Sequence, residues 1–217
     1  MLRQIISKLR SARKVAQPPL NTPYYEKNTK HRNLLPLYDL WPLHMHGFIS
    51  PSASLIGEVK VGLESAVYDN CVIRGDINSV VILDYCFIGP NTVIHTAASL
   101  PTGSPAEVLI GMNCLIGPRC TLYSCVIDDN VHVGAGSVIL EGARLEKGCM
   151  LGPGSVVPPG RLIPSKQLWA GNPVRYVRDL YEPDEIHFKD TLSAEAANAE
   201  RYFVQFGDYG HAHMHDS

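Results

Sequence analysis

The sequence has no long apolar run and no secretory leader. No stretch approaches the roughly 18–20 consecutive apolar residues that a membrane-spanning helix needs. The first twenty residues also lack the uninterrupted apolar centre of a secretory signal. We therefore expect a soluble, non-secreted protein, and its 45% apolar content over 217 residues is enough for one large domain with extensions.

Cysteine motifs of metal and redox sites are missing as well. The six cysteines include no Cys-x-x-Cys pair, which weakens both a structural zinc site and a thiol redox role. Most of them share one position of a six-residue repeat, where a small side chain is expected to point inward. We therefore predict buried thiols rather than disulfides for Cys71, Cys86, Cys114, Cys120 and Cys149.

The charges leave no broad basic face. Five basic residues and no acid lie in residues 1–20, and residues 179–217 hold nine acids against Lys189 and Arg201. The centre of the chain is balanced, so nothing is wide enough to follow a phosphate backbone. We expect no nucleic-acid partner.

The basic N-terminal segment carries an amphipathic pattern. Leu2, Ile5, Ile6 and Leu9 fall on one face of a helix, with Arg, Lys and Ser around the rest. This pattern is typical of a mitochondrial presequence, while an ordinary surface helix is the simpler alternative. If the arm is not cleaved, it could dock on a partner or on a membrane surface.

The strongest positive signal is an aliphatic residue every six positions. This period fits neither an α-helix nor a single strand, and it is typical of short strands separated by tight turns, three to a triangular coil. The period alone does not fix the handedness. The repeat residues are Val61, Val67, Ile73, Ile82, Ile88, Ile94, Ile110, Ile116, Leu122, Ile127, Val133, Ile139, Leu145, Leu151 and Val157.

Two irregular segments accompany the repeat. Residues 97–107 interrupt the repeat, and their Pro and Gly content predicts a loop that projects from one corner. After the last coil, Asn172 and Pro173 resemble a helix cap and first helical residue, followed by Val174, Val177 and Leu180 at helical spacing. We expect a helix here that packs back along the coils.

Two stretches carry a family resemblance, which covers about residues 48–180. Residues 67–79 contain Arg74-Gly75-Asp76, and residues 168–175 read Leu-Trp-Ala-Gly-Asn-Pro-Val-Arg. Both are similar to segments of the gamma-class carbonic anhydrases. The resemblance implies an all-β fold with added helices, namely a left-handed parallel β-helix followed by a C-terminal α-helix packed along it.

The resulting organisation has five parts. Residues 1–20 form the basic amphipathic arm, 21–47 an extended linker, 48–165 the left-handed β-helix, 171–206 the C-terminal helical region, and 207–217 a His-rich tail. The alternating histidines of that tail could bind a metal weakly. A short terminal tract is more often disordered, so we assign it no functional role.

The resemblance also locates a zinc site that this chain lacks. In the family, three histidines from two subunits of a trimer bind zinc. His95 matches the first of them, while Pro118 and Tyr123 stand at the other two positions, and Gly89 replaces a glutamine of the preceding coil. A catalytic zinc needs three protein ligands and an open position for water, so we expect no metal and no catalytic residue in this chain.

The same resemblance implies partners. Arg74 and Asp76 correspond to residues that pair across the trimer interface, with a Gly-centred turn carrying two surface charges as the alternative. We expect a structural subunit with two gamma carbonic anhydrase-type neighbours, on the matrix side of the inner mitochondrial membrane in the membrane arm of respiratory complex I. Zinc could remain at the interface made without this chain. The alternatives are a working zinc carbonic anhydrase and a hexapeptide-repeat acyltransferase with His95 as general base.

Overall fold

The structure is a computed structural model, and it describes residues 32–101, 103 and 106–206. The basic arm, the His-rich tail and the first part of the expected linker lie outside the described residues. None of the described helices is long and apolar enough to cross a membrane.

The described chain is a parallel β-solenoid of about seven turns that matches a left-handed β-helix, with one C-terminal helix. This confirms the expected fold class. The strands and the helix are β1 Leu34–Leu35, β2 Leu43–His44, β3 Phe48–Ile49, β4 Ser54–Val61, β5 Ala66–Val67, β6 Val72–Ile82, β7 Phe87–Ile88, β8 Val93–His95, β9 Val108–Ile110, β10 Leu115–Ile116, β11 Thr121–Tyr123, β12 Val126–Ile127, β13 His132–Val133, β14 Val138–Ile139, β15 Arg144–Leu145, β16 Met150–Leu151, β17 Val156–Val157, β18 Leu162–Ile163, β19 Gln167–Ala170, β20 Arg175–Asp179 and α1 Glu182–Phe206.

The six-residue repeat becomes vertical columns inside the prism. Parallel pairing places Ile88 beside Ile116, Ile116 beside Val133, and Val133 beside Leu151. Every residue of the predicted repeat is at most 3% exposed, and burial of one such side chain contributes about 1.5–3 kcal/mol. All six cysteines are buried and free. This confirms the prediction for the five at the inward repeat position and adds Cys125 to them.

The corners of the prism are tight turns whose third residue has a positive φ. Gly89-Pro90-Asn91 and Gly117-Pro118-Arg119 are two such corners, with φ of 59° at Asn91 and 58° at Arg119. A proline followed by a left-handed residue is the signature of a type II turn. The corner sequence therefore continues from coil to coil in register with the strands.

The C-terminal helix starts later than expected, so the helix prediction for residues 171–181 is wrong. Residues 175–179 form β20, which pairs antiparallel with β19 and closes the end of one sheet. Val174 is buried in the core instead of starting a helical face. At the true start, the Tyr181 N–H donates to Asp184 Oδ2 at 3.0 Å, which is the carboxylate half of a capping box.

The described part of the expected linker is also more regular than predicted. Strands β1 and β2 both pair in parallel with β4. They cover the first coil, whose strand would otherwise leave its backbone groups without partners.

Helix α1 lies along the sheet face that contains β3, β5 and β7, as expected. Ala199 of the helix packs in one apolar cluster with Phe48, Ala66 and Phe87. The Tyr68 hydroxyl donates to Glu195 Oε2 at 2.9 Å. Because the helix covers this face, the outward-facing residues of the other two faces are the ones available for function.

Candidate functional site

Three of the predicted site residues lie in one outward-facing column. Each follows an inward aliphatic residue of the repeat, on β6, β8 and β11. Parallel pairing places Arg74 beside His95 and His95 beside Tyr123. The fold therefore brings together residues that are 21 and 28 positions apart in sequence.

The His95 imidazole and the Tyr123 phenol are stacked. Their ring centroids are 4.3 Å apart and their planes differ by 20°. Tyr123 also packs against an apolar cluster at the base of the loop that follows β8, formed by Ala97, Leu100 and Ala106. One flat side of the imidazole is thus covered by a ring that is itself held in place.

The surroundings of His95 disfavour its protonation. Burial lowers the pKa of His95, and the nearby Arg74 charge lowers it further, while Asp76 acts in the opposite direction. Arg74 donates to Asp76 Oδ2 from Nε at 3.1 Å and from Nη2 at 2.5 Å. Burial alone would raise the pKa of Asp76, but these hydrogen bonds bring it below its ordinary value.

Pro118 lies in the corner between β10 and β11, five residues before Tyr123 in the sequence. Its carbonyl accepts a 2.8 Å hydrogen bond from the Gly136 N–H of the next coil. Pairing of Ile116 with Val133 puts Ala135 at the equivalent corner position, so the turn does not require proline. The side chain of Pro118 offers no atom that could bind a metal or a proton.

The loop after β8 is anchored on both sides by side chains that the sequence reasoning missed. The Ser124 hydroxyl accepts from the Ala97 N–H at 2.6 Å and donates to the Ala106 carbonyl at 2.8 Å. On the other side, Asn78 Nδ2 donates to the Ala97 carbonyl at 2.6 Å. The single five-residue step between Leu122 and Ile127 was the available signal for Ser124, because it marks a corner built differently from the others.

Comparison with known proteins identifies a matching family model and similar proteins from a plant. Residues 107–140 and 124–159 match the model described as bacterial transferase hexapeptide (six repeats). The chain is 35% identical over 176 residues to "Gamma carbonic anhydrase 1, mitochondrial" of Arabidopsis thaliana, covering 81% of this chain and 62% of that protein. It is also 35% identical to "Gamma carbonic anhydrase-like 2, mitochondrial" of the same plant, covering 82% of this chain and 70% of that protein.

A solved structure has the same architecture. The hexapeptide transferase family protein from Anaplasma phagocytophilum superposes with a TM-score of 0.73 at 28% identity, covering 80% of this chain and 99% of that one. The chain spans less than two thirds of the length of gamma carbonic anhydrase 1.

The side chains present do not fit a catalytic zinc site. His95 supplies one imidazole, Tyr123 supplies a phenol stacked on it, and Pro118 supplies no donor atom. Within the described ranges, no group of three or more His, Cys, Asp or Glu side chains is arranged to hold a metal ion. These side chains supply one imidazole where a catalytic zinc needs three protein ligands, so they support no metal-dependent step.

Proposed function

The chain belongs to the gamma carbonic anhydrase family, and we propose that it serves there as a non-catalytic structural subunit. The observation that carries this proposal is the stacked His95–Tyr123 pair. An aromatic ring occupies the place where the family resemblance calls for a second imidazole, and Pro118 stands where it calls for the third. Neither interface to which this chain contributes would then bind zinc.

The proposed setting is a trimer with two gamma carbonic anhydrase-type subunits on the matrix side of the inner mitochondrial membrane. Relatives named mitochondrial support the organelle. The membrane arm of complex I, as the proposed place of assembly, rests on the family resemblance alone. The acidic helix supplies a surface for additional contacts. The basic pattern of residues 1–20 favours peripheral membrane contact of the kind that amphipathic helices make.

Two other functions are weaker on physical grounds. A working zinc enzyme needs ligands in addition to His95, and its neighbours in the structure do not supply them. An acyltransferase needs His95 as a general base, yet Tyr123 covers one side of the His95 ring.

The first experiment is to purify the chain from its native membranes without a tag. Mass spectrometry identifies its partners and elemental analysis gives zinc per subunit. We expect co-purification with gamma carbonic anhydrase-type and complex I subunits and no zinc attributable to this chain. A soluble homotrimer with stoichiometric zinc would refute the proposal.

A restoration experiment sharpens the test. The variant Pro118→His/Tyr123→His places imidazoles at both altered positions, and the corner tolerates the first change because Ala135 occupies the equivalent site. We expect zinc per complex to rise only in this variant. Pro118→Ala/Tyr123→Phe is the matched control, since it changes the same positions without adding a ligand.

A further inference from the structure

Helix α1 lies along one vertical column of outward-facing side chains. Parallel pairing of β3, β5, β7, β10, β13, β16 and β19 keeps this column in register from coil to coil. His132 is the one titratable residue that these strands contribute to it, at a position that every other coil fills with an apolar side chain. The column is Phe48, Ala66, Phe87, Leu115, His132, Met150 and Leu168.

The two halves of α1 are held by different contacts. In residues 195–206, Ala199 packs in the apolar cluster of the first coils, and Tyr202 stacks on Phe48 with ring centroids 5.5 Å apart. In residues 182–191, Phe188 is 6% exposed. Its ring lies against the His132 imidazole, with centroids 5.9 Å apart and planes 27° from parallel. The first half of the helix therefore packs on a group that can gain a charge.

The immediate surroundings of His132 disfavour a positive charge. Its neighbours in the column, Leu115 and Met150, are uncharged. The helix adds a second imidazole, that of His187. Burial lowers the pKa of His132, and the nearby His187 lowers it further.

The carboxylates of the adjoining elements already have partners. Two lie in the first turn of α1, and two lie at the corner between β12 and β13. Lys189 and Asp190 follow Phe188 and are exposed. A proton on His132 would therefore place a charge beneath the helix with none of these carboxylates positioned to neutralise it. The ion pairs are Asp184 with Arg178, Glu185 with Lys166, Asp128 with Arg144, and Asp129 with Lys147.

We propose that His132 is a pH-sensitive latch for the first half of α1, residues 182–191. With a neutral imidazole, this half packs on the outward column. With an imidazolium, it leaves the solenoid while the second half stays docked, because a cation is far better solvated in water than beneath an apolar helix face. The latch depends on the packing of the helix and not on the proposed subunit role.

The sign of the pH dependence follows from the change in proton affinity. In the released form, His132 has its ordinary pKa of 6.5, and in the docked form its pKa is lower. The released form binds the proton more readily, so release is favoured as the pH falls below 6.5. From pH 7.5 to pH 5.5, the ratio of released to docked helix should rise by up to about tenfold, the limit for one proton over one pH unit.

The test is hydrogen exchange of the full-length chain, followed by mass spectrometry at pH 7.5 and pH 5.5. Each measured rate is divided by the rate for an unfolded peptide at the same pH, which gives the protection of the amide. The first four amides of a helix have no intrahelical partner, so the readout is residues 186–191. We expect their protection to fall by up to about tenfold at pH 5.5 and that of residues 195–206 to stay constant.

Three variants assign the effect to His132. His132→Phe keeps an aromatic ring in the column without a titrating group, so we expect its protection to be the same at both pH values. His46→Phe is the matched control, because His46 lies against Phe203 near the other end of α1, with centroids 5.5 Å apart. It should respond as the wild type does. His187→Gln should show a smaller response, since it removes one cause of the lowered pKa of His132.

Three results would overturn the latch. One is constant protection of residues 186–191 in the wild type, and another is an equal loss in the wild type and His132→Phe. The third is a loss spread evenly along the whole helix, because it would report global unfolding instead of local release. Circular dichroism at both pH values checks that each variant is folded.

Discussion

Replacing Ser124 by alanine should destabilise the protein markedly, because this hydroxyl holds both ends of the loop that follows β8. Ser124 is 1% exposed, and its hydroxyl serves two backbone groups, the Ala97 N–H and the Ala106 carbonyl. Both of these residues are less than 10% exposed. The substitution keeps the Cβ, so any strain from the positive φ of 40° is the same in both proteins.

The magnitude follows from the two groups left without a partner. An unsatisfied buried backbone donor or acceptor costs about 1–3 kcal/mol, so for two such groups we expect a loss of about 2–6 kcal/mol in the free energy of unfolding. Ser155→Ala is the matched control. Its hydroxyl donates only to the Gly152 carbonyl, which also accepts from Ser137 at 3.3 Å, so we expect a loss of about 0.5–1.5 kcal/mol.

Urea unfolding followed by circular dichroism measures both variants at one protein concentration, because assembly makes stability concentration-dependent. A local readout accompanies it. Tyr123 packs against the loop base that Ser124 closes, so the Tyr123 ring resonances should shift in Ser124→Ala and not in Ser155→Ala. If the two variants lose equal stability, the loop base is not held by Ser124 and the reasoning fails.

Two further predictions concern titrating groups. Burial raises the pKa of the Cys125 and Cys149 thiols to about 12, so roughly one in ten thousand of these thiols is ionised at pH 8. A thiol reagent should therefore leave the core cysteines of the native protein unmodified and label all six after unfolding. Rapid labelling of the native protein would contradict the packing. Burial and the nearby His187 lower the pKa of His132 beneath its ordinary 6.5, so the folded state binds this proton less readily than the unfolded state. Stability should therefore be complete above pH 6.5 and fall as pH drops below it. The variant His132→Gln should lose part of that slope in denaturant titrations between pH 7 and pH 5, and an unchanged slope would show that other groups carry it.

The core and the fold class could be predicted from the sequence because the repeat is local and strict. An aliphatic residue every six positions can be buried in only one way once the coils stack, and each of those residues is buried. The column of Arg74, His95 and Tyr123 was also accessible, since each follows an inward aliphatic residue. The roles assigned to Pro118 and Tyr123 came from the family resemblance and stay predictions until zinc is measured.

The C-terminal segment shows why the rest was not accessible. Val174, Val177 and Leu180 have helical spacing. Residues 175–179 nevertheless form β20, because pairing with β19 at the open end of the sheet satisfies their backbone hydrogen bonds. Likewise, the partners of Asn78 and Ser124 lie 19 and 27 residues away, and no short-range pattern indicates them.

The sequence by itself determined the coil architecture and the inward cysteines. These properties depend on residue type at a fixed period, which is local information. Only the tertiary structure decided that Tyr123 stacks on His95, that Ser124 and Asn78 hold the loop, and that a strand precedes the helix. Each of these depends on which coils become neighbours and how tightly they approach, and that is settled when the coils stack.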